Sequence, residues 1–164
     1  MSGSRRVARR IATAAVGTGL VAGSVLALTS PAQAYSPNPD VNTIRLSTNS
    51  SHQLDDPVDG TYFKKDTGGT AVKIELRHQG KYVGKIEFHP YGELLYIYDT
   101  RADGDSFYVK VQSPHAEMLR LNPMMGSNGL LVKNLSYGEG DPVYLTVYDS
   151  TYDRDQIAVA TGIA

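Results

Sequence analysis

Beyond residue 34 no stretch has the three-to-four-residue apolar spacing of a useful amphipathic helix. Apolar side chains recur instead at every second position. A period of two puts alternate residues on opposite faces of an extended chain, which predicts strands with one packed and one wet face. Ala71 to His78 is the cleanest case, with Val72, Ile74 and Leu76 on one side and Lys73, Glu75 and Arg77 on the other. Gln79-Gly80 closes a tight hairpin. Lys81 to Phe88 returns with Tyr82, Ile86 and Phe88 inward and Lys81, Lys85 and Glu87 outward. On this phase Glu75 and Glu87 are cross-strand surface charges beside lysines. Gly84 stands where the inward pattern expects a bulky group, which signals a bulge or a close backbone approach. Val143, Leu145 and Val147 alternate with Tyr144, Thr146 and Tyr148. Further strands are expected at Glu117 to Leu121, Leu130 to Leu135 and Gln156 to Thr161. The reading is an all-β domain, an antiparallel β-sandwich of about seven to nine short strands, with a small closed β-barrel as the alternative.

Phe88 to Val111 is the most informative stretch. Leu94, Tyr96 and Tyr98 share one face and Leu95 and Ile97 the other. Neither face is strongly polar, so this strand belongs inside a sheet and under a cover. Phe107, Val109 and Val111 alternate with Tyr108, Lys110 and Gln112. Asp99 to Ser106 between them is turn chemistry around Gly104. Asp99, Asp103 and Asp105 offer closely spaced hard oxygens and form a candidate calcium site; a solvated turn is the plainer reading. Gly92-Glu93, a strand, Asp99, Asp103-Gly104 and Ser106, with Glu139-Gly140 ahead of Val143 to Tyr148, follow a recognisable order. That order resembles a pattern in small secreted proteins of high-GC Gram-positive bacteria, over roughly Gly84 to Tyr148. The resemblance implies a signal peptide followed by a single β-domain, and it brings no catalytic residues. Many of those relatives carry a cysteine pair in the C-terminal half; this chain has no cysteine.

Residues 1–34 read as a targeting segment. Arg5, Arg6, Arg9 and Arg10 form a positive start, Ile11 to Leu28 an apolar run, and Ala32-Gln33-Ala34 a small-x-small cleavage site. Residues 35–59, with Pro37, Pro39 and Pro57, read as a loosely ordered lead-in. Residues 60–164 read as the β-domain. The full chain balances 16 basic against 17 acidic side chains. Cleavage removes four of the arginines and leaves an acidic domain, which disfavours nucleic acid and anionic membrane surfaces as partners. The absence of cysteine excludes thiol catalysis, thiolate zinc sites and disulfide scaffolds. A secreted, extracellular monomer is expected.

The chain has 11 tyrosines, three phenylalanines and no tryptophan. Tyr91, Tyr96, Tyr98, Tyr108, Tyr144 and Tyr148 fall on wet faces or strand ends and are candidate binding residues, since tyrosine joins a rigid apolar plate to a polar tip. His115, Met118, Met124 and Met125 lie close together, but methionine more often fills gaps in a core than binds copper. No nucleophile elbow, zinc helix or phosphate loop occurs. The expectation is a non-enzymatic binding domain for a protein or glycan. The alternatives are an enzyme inhibitor acting through the Asn122 to Gly129 loop and a small carboxylate-dependent hydrolase. The mature protein is expected to begin at Tyr35; N-terminal sequencing of the exported form checks this, and a retained full-length chain would overturn it.

Overall fold

The computed structural model describes residues 35–123, 129–149 and 154–164. Those residues form eleven strands. The first six are β1 (Asp40–Ser47), β2 (His52–Leu54), β3 (Thr61–Phe63), β4 (Thr70–His78), β5 (Lys81–His89) and β6 (Leu94–Asp99). The others are β7 (Tyr108–Ser113), β8 (Ala116–Leu121), β9 (Gly129–Asn134), β10 (Pro142–Tyr148) and β11 (Gln156–Ile163). No helix occurs among the described residues. All the pairings are antiparallel.

Nine strands make one sheet in the order β8-β7-β10-β11-β4-β5-β6-β9, with β1 added along β4. The sheet curls into a half-barrel. Its inner face explains the curl. Val72, Ile74, Ile86, Phe88, Leu95, Ile97, Val109, Val111, Val143, Leu145 and Val147 come from five strands and meet in one buried cluster. A flat sheet could not bring β7 and β6 side chains into a common core; a curled one faces its halves together as the layers of a sandwich do. The period-two pattern sorts these residues from their outward-facing neighbours, so the all-β antiparallel reading holds.

Two glycines allow the closest contacts in this core. A Cβ on Gly84 would lie 2.5 Å from the Phe107 ring, and one on Gly162 would lie 2.5 Å from the Phe88 ring. The expected close approach at Gly84 is therefore real. Beside it the β4–β5 register shifts between Leu76 and Arg77, so Val83 is left unpaired. That extra residue corrects the phase at the start of β5: Val83 joins the core, while Tyr82 turns to the outer face with Arg77 over its ring at 5.1 Å.

The outer face brings the larger correction. Lys73, Glu75, Lys85 and Glu87 were expected to be wet, yet Lys73 and Lys85 are 0 % exposed. The lead-in covers them. β1 pairs with β4 from end to end, and the β2–β3 hairpin forms a flap over β4 and β5. Its hub is Asp56, whose Oδ2 lies 3.0 Å from Lys73 Nζ and 2.8 Å from Lys85 Nζ. Asp56 Oδ1 accepts the backbone N–H groups of Val58, Asp59 and Gly60, which fixes the loop that presents it. Phe63, 1 % exposed, anchors the other strand of the flap. A pattern of alternating charges reports only that a face is polar; the sequence does not say what covers it.

The Asp56→Ala variant should lose about 3–5 kcal/mol, because it leaves two buried lysines short of a counter-ion. That is comparable to the loss of about 2–5 kcal/mol expected for Ile74→Ala in the core. Urea unfolding of both variants checks this; a loss under about 1 kcal/mol for Asp56→Ala, as for an exposed pair, would contradict it.

Candidate binding cleft

The register aligns rows of side chains across the outer face. One row runs Asn42, Glu75, Lys85, Tyr98, Leu130, and the next runs Ile44, Lys73, Glu87, Tyr96, Val132. The face therefore grades from ion pairs at β4 and β5, through tyrosines on β6, to aliphatic side chains on the edge strand β9.

The ionic part is closed. Lys85 Nζ reaches Asp59 as well as Asp56, lies 2.8 Å from Glu87 Oε1, donates to Gly60 O at 2.9 Å and sits 4.3 Å from the centre of the Tyr98 ring. Lys73 also pairs with Glu75 at 3.0 Å. Glu87 accepts from the Thr61 hydroxyl and meets His89 Nε2 at 3.0 Å. Burial alone would raise the Glu87 and Asp56 pKa values. In each case hydrogen bonds outweigh it, from His89, Lys85 and Thr61 to Glu87 and chiefly from Lys85 to Asp56, and hold the carboxyl below its ordinary value. Burial pulls Lys85 down, but its bonds to Asp56, Asp59 and Glu87 win and raise it. A depressed carboxyl stabilises the fold fully above its unfolded pKa, near 4, and loses that contribution as pH falls further.

The aromatic part is open. Phe63 meets His89 edge-on at 4.7 Å, His89 meets Tyr96 at 4.8 Å, and Tyr96 stacks on Tyr98 at 6.4 Å. Beside this ladder lies a cleft of about 330 Å³, lined chiefly by Tyr62 and Lys64 of the flap, Tyr91 of the β5–β6 turn, His89, Tyr96 and Asn134. Tyr62 and Tyr91 are 52 % and 54 % exposed, and Lys64 Nζ lies 4.8 Å from the Tyr91 ring centre. On the other side of the flap, Pro57, Val58, Tyr98 and Thr100 line a second hollow of about 280 Å³.

Of the six tyrosines singled out in the sequence, Tyr91 and Tyr96 share the first cleft and Tyr98 lines the second. Tyr108, Tyr144 and Tyr148 lie elsewhere, on the outer face of β7 and β10, where Tyr148 pairs with Tyr108. Tyr144 is exposed and Tyr148 is buried. Sequence reasoning missed Tyr62, Lys64 and Asn134, which come from segments with no local signal beyond strand propensity. His89 was visible only as one of four histidines.

The acidic turn is a backbone device. Asp99 Oδ1 accepts the Arg101 N–H at 3.1 Å, Asp103 Oδ1 accepts the Asp105 N–H at 3.2 Å, and Asp103 Oδ2 pairs with Arg101 Nε at 3.3 Å. Among the described residues no three His, Asp or Glu side chains are placed to hold a metal ion, so the calcium expectation finds no ligand set here. His115 pairs with Asp141 at 2.8 Å. Met124, Met125 and most of the Asn122 to Gly129 loop lie outside the described residues. The chain matches no protein-family model, and no curated protein matches it.

Asp99 is 2 % exposed, and burial, with the charges of Asp103 and Asp105, pushes its carboxyl up to about 6. A raised carboxyl contributes its stability below the unfolded value near 3.9 and loses it as pH rises through the folded value. The Asp99→Asn variant keeps the acceptor for Arg101. It should therefore flatten the decline in melting temperature between about pH 4 and pH 7; melts across that range check it, and an unchanged slope would refute it.

Proposed function

We propose that the protein is a secreted binding domain whose ligand is a short glycan held in the Tyr62, Tyr91 and Tyr96 cleft. The observation that carries this reading is the cleft itself. Exposed tyrosine rings stand on both of its walls, and Lys64, His89 and Asn134 supply hydrogen-bonding tips between them. Its volume of about 330 Å³ is within the range of small-molecule sites. Tyrosine faces stack on the apolar faces of sugar rings at low entropic cost, and a few polar groups fix orientation. The neighbouring carboxylates support binding rather than turnover. Glu75 and Glu87 are tied up by lysines, and a glutamate held below its ordinary pKa is poorly suited to donate a proton to a leaving group. Secretion rests on the charged start, apolar run and cleavage motif of residues 1–34.

A second reading, a protein ligand, is favoured by one observation. Leu130 and Val132 are 52 % and 49 % exposed on the edge strand β9, beside the same tyrosines. An extended segment could add to that edge.

A glycan array probed with the mature domain, followed by calorimetry on any hit, tests the first reading. Tyr62→Ala and Tyr91→Ala should each weaken binding at least about tenfold, a loss of roughly 1.4 kcal/mol, while Tyr144→Ala leaves it unchanged. Binding lost equally with Tyr144→Ala, or no glycan bound at all, would overturn it.

A further inference from the structure

Tyr35 is the residue that cleavage after Ala34 would leave first, and it does not trail from the domain. Its ring is buried in the core cluster, 5.0 Å from the His78 ring. Its backbone N–H donates at 3.0 Å to Oδ2 of Asp149, a residue with 0 % exposure at the end of β10. Among the described residues, Oδ1 of that carboxylate has no hydrogen-bond partner. The residues at the two ends of the β10–β11 connection are tied together: the Asp149 N–H bonds to Asp155 O at 3.0 Å, and Asn38 Nδ2 bonds to Asp155 Oδ1 at 2.7 Å. The start of the domain is thus tied twice to the β10–β11 turn.

Charged groups from β4 and two connections face this point. Asp155 and Asp105 face Asp149 from the β10–β11 and β6–β7 connections, and His78 faces it from the end of β4. Asp99, Asp103, Asp105 and Arg101 of the β6–β7 connection face Tyr35. Aspartates dominate, and one peptide N–H is a weak partner for a buried carboxylate among them. Burial, aided by Asp155 and Asp105, pushes the Asp149 carboxyl up to about 6. Against these aspartates the Asp149 carboxyl has His78, and a full cation beside it would offset them.

We propose that cleavage after Ala34 supplies that cation: the new α-ammonium of Tyr35 becomes the buried counter-ion of Asp149 and locks this end of the half-barrel. Hydrolysis of the Ala34–Tyr35 bond by a signal-type endopeptidase consumes one water. It leaves a carboxylate on Ala34 and an amine on Tyr35, and the amine takes up a proton. The nitrogen already points at Asp149, so no rearrangement is needed. Where it offered one donor it then offers three, enough for both carboxylate oxygens. The uncut chain lacks this ion pair, so the domain gains its last increment of stability only after export and processing.

The test compares a domain beginning at Tyr35 with one that keeps Gln33-Ala34 in front, both released from a cleavable fusion. All eleven strands and the whole core cluster lie at or beyond Tyr35, so neither form lacks part of the fold. The Tyr35-first form should melt about 5 °C or more higher near pH 7. Its ammonium should titrate above the value of about 7.7–8.0 for an exposed terminus. The Asp149 carboxyl should titrate lower than in the extended form. Stability from a raised ammonium is lost as pH rises through its folded value, and stability from a lowered carboxyl is lost as pH falls through its own. The gap between the forms is therefore widest near neutrality and closes at both extremes. Asp149→Asn should erase it. Equal melting temperatures near neutrality, or an α-amino group titrating at the exposed value, would overturn the proposal. If Asp149→Asn does not fold, the amine titration by NMR on the unsubstituted domain decides alone.

Discussion

Two lysine ammonium groups with no exposed side-chain surface set the terms for the outer half of this protein. An ammonium taken out of water costs several kcal/mol unless counter-charges and acceptors surround it. Asp56 meets that demand for Lys73 and Lys85 together, and it does so from a loop whose shape its other oxygen enforces. The flap is thereby fixed on the sheet by charge as much as by the burial of Phe63. The same charges fix register. Lys73 faces Glu87 and Glu75 faces Lys85 across β4 and β5, and a slip of either strand by one residue would turn its two charged side chains toward the core.

The cleft inherits its rigidity from this arrangement. Tyr62 and Lys64 reach it from the flap, while His89, Tyr91 and Tyr96 reach it from the sheet and its turn. Its two walls are held together by the ionic network behind them. Glu87 links the two regions, since one oxygen serves Lys85 and Thr61 and the other serves His89. A cleft assembled on such a scaffold would lose little entropy on taking up a ligand. The grading from ions to tyrosines to Leu130 and Val132 also places the most apolar surface at the exposed edge strand. β9 pairs only with β6 among the described residues, which leaves its other edge open to another chain.

The opposite use of charge occurs at the end of the half-barrel where β4, β6 and β10 finish. There, among the described residues, no lysine pairs with the buried carboxyls of Asp99 and Asp149, and both are pushed up to about 6. Two acidic turns some fifty residues apart in the chain converge on Tyr35 and His78. Carboxylates held ionised by lysines brace one surface, and carboxyls left short of cations make the other sensitive to charge.

Period-two alternation by itself determined the class of the fold, the phase of β4, β6, β7 and β10 and most of the core, because burial on one side of a strand forces every second residue to be apolar. Gly84 was legible for the same reason, as a gap in the inward series. The tertiary structure alone decided what lay over the polar faces. Local sequence assigns Lys73, Glu75, Lys85 and Glu87 to a wet surface, and only the flap, placed by long-range pairing with Asp56, makes that surface interior. Tyr82 escaped the pattern because the unpaired Val83 reverses the phase, and Gly84, which signals a bulge or a close approach, does not say which residue is left over. The six tyrosines divided because the order of strands in the sheet, unlike their spacing in the chain, separates β6 from β7 and β10 by β5, β4 and β11. Burial of a strand's own side chains is a local property that the sequence writes down; which segment comes to rest on its other face is set by contacts between distant residues, and that the fold had to decide.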